Sequence, residues 1–134
     1  MTSVLKSRLP ELALKYEVAS FVNADPSQFL RWYTESDTPR TGAASPSQPQ
    51  LALRSGATIA DVECASFIAA MLAFGNRKQF IPKIGEILTT ADTTSGTITA
   101  WLTAGAPHFP HGPEKFYRFY SFDDMHSLFT ELAQ

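Results

Sequence analysis

The chain lacks the residues on which several kinds of site depend. It has a single cysteine, Cys64, so no internal disulfide can form, and no apolar run approaches the roughly 18 residues of a membrane span. Its glycines are too dispersed for a phosphate-binding glycine loop. A net charge of −2 excludes a strongly basic surface and leaves only a local basic patch for contact with nucleic acid. We therefore expect a soluble, cytoplasmic, globular protein with no membrane partner.

The titratable residues predict neither a metal site nor a nucleophile. His108 and His111 lie three apart, but prolines flank them and no third ligand is near, so we interpret them as loop residues. Cys64 lies among apolar neighbours, which favours a structural thiol over a reactive one. Asp61 and Glu63 are two apart and would point away from each other on a helix. We expect no catalytic residue, no metal and no cofactor.

Helical spacing dominates the remainder of the sequence. The clearest helix runs from Thr58 to Phe74, where Thr58 and Asp61 resemble a capping box and Gly75 ends the helix. Apolar residues that recur every three or four positions, with alanines between them, predict a central, closely packed helix. Further helices are predicted over Ser3–Tyr16, Asp25–Tyr33, Ile81–Thr90, Ser95–Ala104 and Glu114–Tyr120, and after Ser121 with Asp124 at the capping position.

These patterns predict an all-α fold. Residues 37–57 are rich in proline, serine and glycine and predict a flexible loop rather than a domain boundary. No strand pattern longer than a few residues occurs. We expect one compact helical domain over residues 1–134, with about five to seven helices around a central apolar helix.

The stretch "AFGNRKQFIPK" is the first candidate site. Gly75 permits a tight turn, Asn76 can cap the next helix, and Arg77 and Lys78 follow beside backbone N–H groups at its start. Amides, helix dipole and two cations together favour an anion or nucleic-acid phosphate site. The equally weighted alternative is that the two cations are solvated or pair with Asp61, Glu63 or Asp124. Pro82 predicts a kink or a helix start near Phe80.

The stretch "KFYRFYSFDD" is the second candidate site. Four aromatic residues flank Arg118, and such an arrangement can stack nucleobases. We favour the structural interpretation, in which the aromatics pack a small core and Arg118 is tied to a carboxylate or to helix-end carbonyls. Asp61 should act as a helix cap that needs no other partner. Arg77 should be partly exposed, without a buried partner.

Three segments resemble a bacterial family of unknown function, the domain-of-unknown-function 2400 family. "DVECASFIAAMLAFGNRKQFIPKI" resembles its signature, with Phe74 in place of the usual tryptophan, and "YEVASFVNADPSQF" is similar to its N-terminal stretch. "FYRFYSFDDM" is similar to a later segment, with Tyr117 where histidine is common. The matching positions in that segment are Arg118, Tyr120 and Asp124.

The family in turn distantly resembles the helix-hairpin-helix DNA glycosylases. In those enzymes an alanine-rich helix leads into a polar loop that probes DNA, a place that Asn76 and Arg77 would occupy here. The resemblance implies a nucleic-acid-associated module with DNA as partner. Relatives continue into a segment near Pro-Leu-Asp-(Val/Thr)-His-Thr that is missing here, so we expect an N-terminal half that is not active as an enzyme alone. The alternative is a non-catalytic interaction module, completed by a C-terminal segment or another copy of itself.

Overall fold

A computed structural model describes residues 24–35 and 52–134, together with the separate helical residues Arg8, Pro10, Glu11 and Lys15. The rest of the helix predicted over Ser3–Tyr16 lies outside the described residues. Phe21 and Val22, in the segment that is similar to the family's N-terminal stretch, also lie outside them. Most of the loop predicted at residues 37–57 also lies outside them; only its last six positions, 52–57, are described.

The described part of the chain is mostly helical. A 3₁₀ helix, Pro26–Arg31, precedes three α-helices: α1 (Ile59–Leu72), α2 (Arg77–Ser95) and α3 (Ile98–Thr103). Strands β1 (Lys115–Tyr117) and β2 (Tyr120–Ser121) form an antiparallel hairpin, and α4 (Phe122–Leu132) follows at once. The helical class is confirmed, but the all-α description is corrected by this hairpin.

The hairpin replaces the helix predicted over Glu114–Tyr120. Aromatic side chains are enriched in strands, where they pack well on a pleated surface. Phe116 and Tyr117 are both buried, while Arg118 and Phe119 form an exposed turn between the strands. The burial of Phe116 and Tyr117 therefore stabilises the hairpin more than the local spacing of apolar residues stabilises a helix.

The start of helix α2 also differs from the sequence pattern. Helix α2 begins at Arg77 and continues through Pro82, instead of starting near Phe80. Proline removes the N–H that would bond to the carbonyl of Lys78, which is unfavourable. The buried residues of α2 outweigh this cost by packing in the core; they are Phe80, Ile84, Ile87, Leu88 and Ala91.

Helix α1 begins at a complete capping box. The Thr58 hydroxyl accepts from the Asp61 N–H, and the Asp61 carboxylate accepts from the Thr58 N–H. The helix packs against the 3₁₀ helix, α2 and α3, as a central helix should. One side nevertheless faces solvent, because Ile59 is 62% exposed and Phe67 is 47% exposed. The predicted central packing of α1 is confirmed, with one side of the helix left exposed.

Asp61 also joins α1 to α3. One carboxylate oxygen accepts from the N–H and hydroxyl of Thr58, and the other accepts from the N–H and hydroxyl of Thr99 at 3.0 and 2.6 Å. The carboxylate is almost completely buried. Burial alone would raise the pKa of Asp61, but the hydrogen bonds from Thr99 and Thr58 outweigh it and lower that pKa. Asp61 thus has a partner beyond its own helix terminus, contrary to the sequence-based expectation.

The partly exposed carboxylate of Asp92 links Trp32 and Tyr33 to α2. Asp92 accepts from the Trp32 indole N–H at 2.9 Å, the Tyr33 hydroxyl at 2.7 Å and the Arg54 guanidinium at 3.1 Å. Arg54 also lies over the Tyr33 ring, 4.7 Å from its centroid. The sequence offered no signal for this arrangement, since its members are up to 60 residues apart.

The core is one continuous cluster that extends to the end of the chain. Phe109, on the loop after α3, contacts Trp101 of α3 and Phe129 of α4 with their rings edge to face. The Trp101 indole N–H donates to the Pro107 carbonyl. Helix α4 begins at a second capping box, formed by Ser121 and Asp124.

Candidate functional site

The two stretches that stood out in the sequence contact each other. The Tyr117 hydroxyl of β1 donates to the Phe74 carbonyl, just past α1. The Phe74 ring lies 5.2 Å from the Tyr117 ring and 5.3 Å from the Phe119 ring, between centroids. The loop between α1 and α2 and the hairpin turn therefore form one surface, which we call the loop–hairpin surface: Phe74–Lys78 with Tyr117–Tyr120.

Gly75 allows this close contact. Its φ is +83°, a conformation that residues with a Cβ rarely adopt. A Cβ at this position would lie 2.6 Å from Nη2 of Arg118 and 3.0 Å from the Tyr117 hydroxyl oxygen. The positive φ requires glycine at this turn, whereas the Arg118 side chain, which is exposed, could move away from a Cβ.

Asn76 forms the N-cap of α2, as the sequence predicted. Its side-chain oxygen accepts from the Lys78 N–H at 2.9 Å, and its carbonyl accepts from the Gln79 and Phe80 N–H groups. These N–H groups therefore already have partners within the chain. An anion on this surface would be bound by side-chain cations, rather than by the amides that the sequence pattern suggested.

Arg77 is partly neutralised. Its side chain is 53% exposed, and Nη2 lies 3.5 Å from a carboxylate oxygen of Asp25, the N-cap of the 3₁₀ helix. This partner is none of the three acids considered from the sequence. Hydrogen bonds from Ser27, and to a smaller extent the charge of Arg77, lower the pKa of Asp25. Asp25 is itself partly exposed, so this ion pair is not a buried one.

Arg118 differs from its expected structural role. It lies exposed in the hairpin turn with φ +54°, and its side chain makes no hydrogen bond or ion pair in the part of the chain that the structure describes. The nearby acids serve other groups: Asp124 caps α4, and Asp123 accepts from the Gly112 N–H. The guanidinium lies against the Gly75 backbone instead. Lys78, at the start of α2, is also exposed and has no ion pair among the described residues.

Phe119 is the exposed member of the aromatic group. Phe116 and Tyr117 are buried and Tyr120 is half-buried, so these three pack as the sequence suggested. Phe119 is 71% exposed, although its ring stacks on Phe74 with an interplanar angle of 18°. The surface therefore combines an open aromatic ring with nearby cations, an arrangement suited to nucleobases and phosphates.

The two histidines near α4 and the single cysteine have the following surroundings. The rings of His111 and His126 stack 3.5 Å apart, and the ring nitrogen Nδ1 of His111 lies 3.9 Å from Asp123. Within the described residues, no three His, Cys, Asp or Glu side chains are grouped so that they could hold a metal ion. Burial, together with the charges of Asp61 and Glu63, raises the pKa of Cys64.

Comparison with known proteins gives one family. The family described as "Protein of unknown function (DUF2400)" matches residues 49–134, which is more than half of the chain. The match contains the segments around Gly75 and Arg118 that carried the resemblance, while the segment before residue 49 lies outside it. No curated protein and no solved structure matches the chain. In the described ranges, no helix is long and apolar enough to cross a membrane. The chain belongs to the domain-of-unknown-function 2400 family.

Proposed function

We propose that this chain is a nucleic-acid-associated module that binds backbone phosphates through the loop–hairpin surface. The observation that carries the proposal is Arg118: an exposed guanidinium that has no ion pair among the described residues and lies against Gly75. Arg77 and Lys78 follow Gly75 directly in sequence. Arg118 from the hairpin thus lies beside the loop in which Arg77 and Lys78 follow Gly75.

The three cations should not contribute equally. Asp25 lies 3.5 Å from Arg77 and reduces its attraction for phosphate. Lys78 and Arg118 have no such partner in the described part of the chain. We expect about two phosphates to be neutralised, which corresponds to a log–log salt slope of roughly −1.5 to −2. With a net charge of −2, the protein as a whole repels nucleic acid, so binding should be weak at physiological salt.

The glycosylase-like part of the proposal rests on the position of this loop after the alanine-rich helix α1. The proposal gives Asn76 a different role from the one that the resemblance implies. Because the Asn76 side chain caps α2, it positions the cations rather than probing a base. The proposal assigns no catalytic residue.

Fluorescence anisotropy with a labelled oligonucleotide, from about 50 mM to about 200 mM salt, tests the proposal. Lys78→Gln and Arg118→Gln should each weaken binding and reduce the slope by about 1. Lys83→Gln is the matched control, because Lys83 lies on the same helix as Lys78 but is paired with Glu86 at 3.5 Å. Absence of binding at low salt would refute the proposal, as would equal losses in all three variants.

A non-catalytic interaction module is the second candidate, and the solvent-facing side of α1 favours it. Ile59 and Phe67 are large apolar residues at 62% and 47% exposure on one helix. A second copy of the chain is the partner to test. Sedimentation equilibrium should then show self-association that Ile59→Ser with Phe67→Ser abolishes, and a monomer at high concentration would contradict it.

A further inference from the structure

We infer that the nucleic acid bound by the loop–hairpin surface is single-stranded, and that an unpaired base stacks on the open face of Phe119. This inference rests on the proposed function and specifies its ligand. It starts from an asymmetry within the hairpin, where three aromatic side chains are buried or half-buried and the fourth, Phe119, is 71% exposed.

The Phe119 ring is exposed but supported. Its centroid lies 5.3 Å from that of Phe74, with the rings 18° from parallel, and 4.7 Å from that of Tyr120. Phe74 is in turn held by the Tyr117 hydroxyl, which donates to its carbonyl. One face of Phe119 is therefore covered by a supported ring, while its high exposure leaves the other face open. A base that stacks on it meets a ring that has already lost most of its freedom.

The positive charge of Arg118 beside the Phe119 ring favours an anionic ligand. Arg118 directly precedes Phe119 in the turn, and its side chain has no ion pair within the described residues. A nucleotide has an aromatic base and a phosphate a short distance apart, so one nucleotide can contact both side chains. The exposed apolar residues of α1, Ile59 and Phe67, instead lie on the same helix as the exposed acid Glu63. Phe119 is thus the exposed ring on the described surface that suits an anionic aromatic ligand.

Geometry favours an unpaired base over a base pair. In a duplex, each base is covered on both faces by its neighbours, so a protein ring can stack on it only after unstacking the step. A single strand offers free base faces, and stacking on protein aromatics is the common way in which single strands are bound. Phe119 lies on a two-residue turn and has an open face, which a single strand can reach without any deformation.

A tryptophan reporter tests the contact directly. In Phe119→Trp, the new indole should be quenched when a single-stranded oligonucleotide of about 16 nucleotides is added, and not when a blunt duplex of equal length is added. Phe67→Trp is the matched control, because Phe67 is also an exposed phenylalanine, at 47%. Its fluorescence should not change beyond that of the wild-type chain, whose own tryptophans are Trp32 and Trp101. Equal quenching at positions 67 and 119, or none at 119 while the strand is bound, would overturn the inference.

Affinity measurements separate stacking from charge. Phe119→Leu should weaken single-strand binding about 5- to 150-fold, the range for loss of one stacked base. Its salt slope and its duplex affinity should be unchanged, and Phe119→Tyr should bind as wild type. Unchanged single-strand affinity in Phe119→Leu, or an equal loss for duplex, would refute the inference. So would a change in self-association alone, which would indicate a protein partner.

The two proposals fail in different ways. If Lys78→Gln and Arg118→Gln reduce binding but Phe119→Leu does not, phosphate binding stands and base stacking is refuted. If no oligonucleotide binds at low salt, both are refuted. Thermal unfolding of Phe119→Leu is the folding check, and an exposed position should change little.

Discussion

Replacement of Asp61 by asparagine gives the sharpest test of how this fold is held together. Both Asp61 oxygens are used, each accepting one N–H and one hydroxyl hydrogen, from Thr58 and from Thr99. Asparagine keeps one oxygen and turns an NH₂ group toward the other pair of donors. Two hydrogen bonds to a charged group are lost in a buried site. The NH₂ group then faces a backbone N–H, which cannot accept a hydrogen bond, and a threonine hydroxyl, which can accept only one.

The expected loss follows from these contacts. A hydrogen bond to a charged group contributes about 1.5–3 kcal/mol, and an unsatisfied buried donor adds to the cost. We therefore expect Asp61→Asn to lower the free energy of unfolding by about 3–5 kcal/mol, a large fraction of the stability of a domain of this size. The change should separate α1 from α3, since the Thr99 contacts join these helices.

Asp124→Asn is the matched control. Asp124 occupies the same position in the capping box of α4, accepting from the Ser121 N–H and hydroxyl, but it is exposed, and in the described part of the chain its side chain accepts no hydrogen bond from another helix. Its loss should cost about 1 kcal/mol, as is usual for a cap. Urea unfolding at neutral pH measures both variants. The reasoning is refuted if Asp61→Asn costs no more than Asp124→Asn.

Titration adds a second readout of the same contacts. Because the pKa of Asp61 is lowered in the folded chain, its ionised form stabilises the fold above the unfolded pKa of about 3.9. This contribution should decline as pH falls from about 5 through the lower folded pKa. Asp61→Asn should remove that part of the acid dependence, and an unchanged pH profile in the variant would contradict the assignment.

Further variants test the loop–hairpin surface and the Asp92 carboxylate by thermal or urea unfolding. Gly75→Ala should destabilise by about 1–3 kcal/mol, because of its positive φ, whereas Gly85→Ala, in α2 with open space around it, should stabilise by about 0.5–1 kcal/mol; equal effects would refute the argument from backbone conformation. Arg118→Ala should stay within about 0.5 kcal/mol, as for a surface site, and Arg118→Gly should stabilise by about 1 kcal/mol by relieving the positive φ; a large loss in either would show a structural role. Asp92→Ala should cost about 3 kcal/mol or more, since Trp32, Tyr33 and Arg54 donate to it, and a near-neutral effect would show that the segment around Tyr33 is held by other contacts.

The sequence alone determined the features that depend on neighbours three or four residues away. The capping pairs at Asp61 and Asp124, the capping role of Asn76 and the turn at Gly75 were all readable, because the groups that satisfy a helix end lie within one turn of it. The start of α2 at Arg77 was not, because Pro82 favoured a later start. The family was readable for a related reason, since its signature is a continuous stretch of chain around Gly75.

Only the tertiary structure determined which of these local elements contact each other. Tyr117 bonds to Phe74 across 43 positions, and Asp92 receives Trp32 across 60. No local pattern encodes such pairings, which are selected by the burial of whole faces. For the same reason, the sequence misjudged the stretch around Arg118. Its spacing suited a helix, but burial of Phe116 and Tyr117 made a hairpin and left Arg118 and Phe119 exposed at the turn.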